Sequence, residues 1–185
     1  MVGSLIRLTA AVSLAFALAD CASTNRGGFY SENDVATSSL RGARIETPAA
    51  PLQCVPYARA RSGLTIYGDA GTWWAKSEGL YARGPAPSLG SVMVLTGYAG
   101  PGRAHLAVVA GLVSDREITV DHANWLDDGA IYRDDPVVDV SPDNDWSEVR
   151  VFNPRTASWG IRTYLVQGFI GPGADSDHAR IAQNW

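Results

Sequence analysis

The chain has 185 residues, 46% hydrophobic and 18% charged, enough for one domain of roughly 100–150 residues plus an appendage. Its net charge of −4 and pI of about 5.3 argue against a nucleic-acid binder, which needs clustered Lys and Arg to neutralise phosphates; the densest basic stretch is only Arg59-Ala60-Arg61. The 10 prolines and 19 glycines argue against a helical bundle and for a loop-rich α/β or mostly β domain.

In chain order, the first element reads as an export signal. Arg7 is the only charge before the uncharged run from Leu8 to Ala19, and small residues close that run. The run is too short for a membrane span, which needs roughly 20 apolar residues. Ala17-Leu18-Ala19 offers an Ala-x-Ala cleavage site. Leu18-Ala19-Asp20-Cys21 resembles the bacterial lipoprotein box, in which Cys21 would become the acylated N-terminus, although Asp20 stands where a small residue is usual. Residues 1–20 are therefore assigned to a signal peptide, with Cys21 as the lipidation candidate. Residues 21–50 show no helical or strand period and are expected to be a flexible linker. The folded domain is placed at 51–171, and 172–185 is expected to be a polar tail.

Leu52 to Ala60 predicts a helix with Cys54 at its N-terminus, because Pro56 is tolerated only in a first turn. A second helix is expected from an Asp69 cap through Trp73-Trp74-Ala75-Lys76 to Gly79. From Ser91 the pattern becomes β. Ser91–Leu95, His105–Leu112, Arg116–Trp125, Glu148–Phe152 and Thr163–Ile170 read as strands, with Ser114-Asp115 turning between the second and third. Helices first and then an antiparallel meander predict an α+β domain, with N-terminal helices packed on an antiparallel sheet. The six tryptophans are expected mainly in the core.

A cysteine at a helix N-terminus gains the positive end of the dipole and free N–H groups, which lower a thiol pKa and offer an oxyanion hole. Cys54 fits that description. It also needs a base, and of the three histidines His178 lies in the tail, which leaves His105 and His122. His105 begins a strand after a glycine-rich loop. Period-two alternation puts His122 and Asn124 on one face of the neighbouring strand, and Asp121 and Ala123 on the other. If the two strands pair, His122 or Asn124 can reach the His105 ring as the third group. Zinc held by Cys54, His105 and His122 is allowed by ligand type, but the spacing matches no compact motif.

Gln53-Cys54, Gly68-Asp69-Ala70 with Trp74, Gly90-Ser91-Val92-Met93-Val94, His105-Leu106-Ala107-Val108-Val109 and Asn124-Trp125 occur in an order that resembles the CHAP domain, the cysteine/histidine-dependent amidohydrolase/peptidase family. The resemblance implies a papain-like fold, Cys54 as nucleophile and His105 as base; Gln53, beside the cysteine, is a candidate for the oxyanion hole or a polar lead-in to the helix, and Trp125, beside Asn124, a candidate for the substrate groove or the core. The family often places an acidic residue two positions before this Asn; here that slot holds His122, which is similar to the Cys-His-His arrangement of related NlpC-type peptidases. The resemblance further implies acyl transfer through a thioester on peptidoglycan, without a cofactor, by a monomer in the cell envelope. A catalytically silent envelope module and an amidase on another small amide are the competing expectations.

Overall fold

The structure, a computed structural model, describes residues 42–171. Cys21, the 1–20 segment, most of the 21–50 stretch, His178 and the 172–185 segment lie outside the described residues.

Strand β1 (Arg44–Glu46) is followed by helix α1 (Cys54–Ser62), a 3₁₀ turn (Ala70–Thr72) and the one-turn helix α2 (Trp73–Lys76). The remaining strands are β2 (Arg83–Gly84), β3 (Val92–Thr96), β4 (Ala104–Ser114), β5 (Glu117–Ala123), β6 (Ile131–Asp139), β7 (Glu148–Asn153), β8 (Ser158–Trp159) and β9 (Tyr164–Ile170). Neighbouring strands run β6-β5-β4-β3-β9-β7, every pair antiparallel, and β7 returns to β6 through Val137↔Val151, Val138↔Arg150 and Asp139↔Val149. Six strands thus close into a barrel.

The expected α+β layering, helices packed on an antiparallel sheet, is therefore wrong: the domain is mostly β, a closed antiparallel barrel with two short helices. The helices total one nine-residue and one four-residue segment, too little to form a layer. Closure depends on β6, which sequence alternation did not reveal because its middle is irregular. Asp134 sits in the left-handed region at φ 48°, and the β5–β6 register shifts between Val120↔Asp135 and His122↔Tyr132. Such a bulge breaks the period of two, and Pro136 adds a residue with no N–H to donate. The linker expectation also fails locally, since Arg44–Glu46 pairs with Arg133–Ile131 of β6.

Burial follows the two faces of the sheet. Met93, Leu95, Ala107, Val109, Ile118, Val120, Val137 and Phe169 fill the barrel. Val92, Val94, Leu106 and Val108 face outward under Ala58, Leu64 and Trp73. Strands β3 and β4 are thus covered on both sides beneath α1, which explains their unbroken apolar runs. At Gly168 (φ 146°) a Cβ would lie 2.5 Å from the Trp74 ring, so only glycine lets β9 pass that indole.

Helix α1 begins where expected. Gln53 is extended (φ −107°, ψ 155°), its carbonyl accepts from Tyr57 N–H at 3.2 Å, and Pro56 lies in the first turn. Gly63, left-handed at φ 75°, ends the helix by donating to the Arg59 carbonyl. The second expected helix is much shorter: Asp69 occupies the cap position without a side-chain cap bond, and α2 stops at Lys76.

Candidate active site

Cys54, a partly buried free thiol, is the first residue of α1. Backbone N–H groups of Cys54, Val55 and Leu106 lie close enough to its sulfur to favour the thiolate. Burial nonetheless pushes the thiol pKa up; those N–H groups and the nearby Arg103 guanidinium pull it down without cancelling the effect.

His105 enters from the opposite body. It lies on β4, inward-facing and 1% exposed at the barrel mouth. Antiparallel pairing of β4 with β5 brings His122 alongside, with Nε2 of His105 3.0 Å from Nδ1 of His122. On the far side of that second ring, Nε2 of His122 is 2.9 Å from Oδ2 of Asp135. Both His122 and Asp135 are fully buried. Burial, with the neighbouring His122 adding to it, holds His105 well below the ordinary histidine pKa, so its ring is neutral at neutral pH. Burial raises the Asp135 pKa and its bond to His122 opposes the rise.

Asp135 reaches this position because of the bulge. Strict alternation from Tyr132 would turn residue 135 outward. The left-handed Asp134 absorbs one residue, so both Tyr132 and Asp135 face in. The row His105–His122–Asp135 is boxed by aromatic rings. Tyr98 and Trp125 each lie 4.9 Å from the His105 ring, and Trp125 and Tyr132 lie 5.2 and 5.4 Å from His122. Tyr98 donates its hydroxyl to the Trp125 carbonyl.

Two cavities meet at Cys54. One, of about 490 Å³, runs along Gln53, Cys54, Asp69, Gly71, Gly102 and Arg103. The other, of about 480 Å³, is lined by Gln53, Cys54, Tyr98, His105, Asn124, Trp125, Arg162 and Tyr164. A chain-like substrate can therefore extend to either side of the thiol.

The structure brings Cys54, His105 and His122 to one place. Asn124 lines the same cavity but bonds elsewhere: its Nδ2 donates to Gln53 Oε1 (3.0 Å) and its Oδ1 accepts from Gly129 N–H (2.7 Å). At φ 61° it has already left the strand, so sharing a period-two face with His122 does not put it on the ring. Gln53 flanks the thiol with its side-chain carbonyl taken by Asn124, and Trp125 is a 5% exposed wall under the histidines. Asp121 faces away from the site, bonded to Arg61 (2.7 Å) and to the Asp134 N–H (3.0 Å). Sequence reasoning missed Asp135, Tyr98 and Tyr164. For Asp135 the available signal is the acidic doublet before Pro136, inside a stretch otherwise patterned as strand. Among the described residues no cluster of three or more His, Cys, Asp or Glu is arranged to hold a metal ion.

Residues 46–124 match the family model for the CHAP domain. The matched span contains Gln53, Cys54, His105, His122 and Asn124; Asp135 and the strands that close the barrel lie beyond it. No curated protein matches the chain.

Proposed function

The chain carries a CHAP domain, a family of amidase- and peptidase-type hydrolases of peptidoglycan, and on that premise we propose that it is an exported cysteine hydrolase cleaving amide bonds of the stem peptide or cross-bridge. One observation carries this reading: Cys54 at a helix N-terminus and His105, backed by the buried His122, line one cavity.

Cys54 is the nucleophile and His105 the base. With burial raising the thiol pKa and lowering the imidazole pKa, the resting pair is a neutral thiol and a neutral ring. On substrate arrival the Sγ proton passes to the ring nitrogen of His105 not engaged by His122, and the sulfur attacks the amide carbonyl. The Cys54 N–H and the Gln53 side-chain amide are the oxyanion donors. His105 returns the proton to the leaving amine, a thioester remains, and water activated by His105 releases the acid. Export rests on the charged start and apolar run of residues 1–19, and lipidation of Cys21 would hold the domain at a membrane surface.

Digestion of peptidoglycan followed by mass spectrometry of the muropeptides tests the reading. New amide-cleavage products are expected from the wild type, with a loss on the order of 10⁴-fold or more for Cys54→Ala. Intact peptidoglycan, together with an unchanged cell phenotype for Cys54→Ala, sinks it. The same burial that keeps the thiol protonated favours a silent envelope module as the second reading, and that outcome would select it.

A further inference from the structure

We infer that Asp135 is a positioning residue that sets the direction of the hydrogen bonds through His122 and thereby the tautomer of His105. The inference rests on the reading of Cys54 and His105 as nucleophile and base.

A neutral imidazole has one N–H and one lone pair, so a row of two rings can point either way. The carboxylate end is acceptor-only. His122 must then carry its proton on Nε2, donating to Asp135 Oδ2 across 2.9 Å. Its Nδ1 is left as a lone pair, which accepts from His105 Nε2–H across 3.0 Å. The remaining nitrogen of His105, Nδ1, is then a lone pair, the form a base for the thiol requires. Reversed, the row would place a proton on His105 Nδ1 and leave no base. The second Asp135 oxygen, Oδ1, is buried with no hydrogen-bond partner, so among the described residues His122 is the one side chain this carboxyl group bonds. When the thiol proton moves to His105 Nδ1, the imidazolium keeps Nε2–H on His122, and no proton need travel farther. Tyr98, Trp125 and Tyr132 surround the rings, and the titratable or charged groups that share the mouth with His105 are Cys54, Arg103, Asp127, Arg162, Tyr98 and Tyr164.

Nitrogen-15 labelling of histidine in the full chain reads the tautomers directly. Wild-type His122 and His105 are both expected as Nε2–H forms at neutral pH. The near-isosteric Asp135→Asn can offer an N–H to His122 Nε2 and is expected to flip both rings to Nδ1–H. It should slow Cys54 alkylation by iodoacetamide by about 10–100-fold. The limb of the alkylation profile that titrates with His105 should move to lower pH, because a buried negative charge is gone. An Nδ1–H signal for His122 in the wild type overturns the inference, and that measurement needs no variant to fold. So do unchanged tautomers and alkylation in Asp135→Asn. Neither arm depends on peptidoglycan cleavage, so failure here is separable from failure of the proposed substrate.

Discussion

At the scale of single residues, burial shifts the pKa values of the groups in the site: up for Cys54 and Asp135, down for His105. His105 is buried and neutral where an unfolded histidine would take up a proton below pH of about 6.5. Below that value the unfolded state binds more protons than the folded state, so stability falls with pH, approaching about 1.4 kcal/mol per pH unit. Asp135 acts in the opposite sense at lower pH, because its raised pKa lets the folded state bind a proton first. Denaturation between pH 8 and 5.5 should show a loss for the wild type that is smaller for His105→Gln; parallel curves would contradict it. The meeting of Cys54 with His105 was legible in sequence because a rare residue type in a local pattern is a local signal. The choice between His122 and Asn124 was not, since both obey the same alternation and only the backbone turn at Asn124 separates them.

Among the elements, the loop from Asn124 to Gly129 decides where Cys54, the proposed nucleophile, sits. Gly129 is left-handed at φ 68°, its carbonyl accepts from Leu52 N–H at 3.0 Å, and a Cβ there would lie 2.5 Å from that of Pro51. This close approach fixes the chain immediately before Gln53 and Cys54. Gly129→Ala should cost about 1–3 kcal/mol in denaturant unfolding and should reduce hydrolysis even where the protein remains folded. Equal activity per folded molecule would show that the loop does not seat the thiol. The strands with unbroken apolar runs or regular alternation, β3 to β5, β7 and β9, were legible nearly to their ends. Strand β6 was not, because its bulge and Pro136 hide the period, and the inward Asp135 was hidden with it.

For the molecule as a whole, closure of the barrel is what alternation cannot give: it assigns faces to strands but not partners. The interior is therefore the test of the fold. Phe169 is 2% exposed and packs edge-on to Trp146 at 6.2 Å. Phe169→Ala should cost about 3–5 kcal/mol, a large share of the 5–15 kcal/mol typical of a domain, whereas substituting Ile161, 96% exposed, should change stability by less than about 0.5 kcal/mol. Urea midpoints compare the two, and similar costs would argue against a filled barrel.

The proposed nucleophile and base are mounted on different parts of the fold. Cys54 rides on a nine-residue helix outside the barrel, held through Ala58 over Leu106 and Val108 and through Arg61 on Asp121, while His105 is built into the wall. Local opening of so small an attachment requires less free energy than melting the sheet. If the proposed hydrolysis holds, heat inactivation is expected to be a property of the helix seat, with turnover lost on warming while the barrel is still intact and regained on cooling.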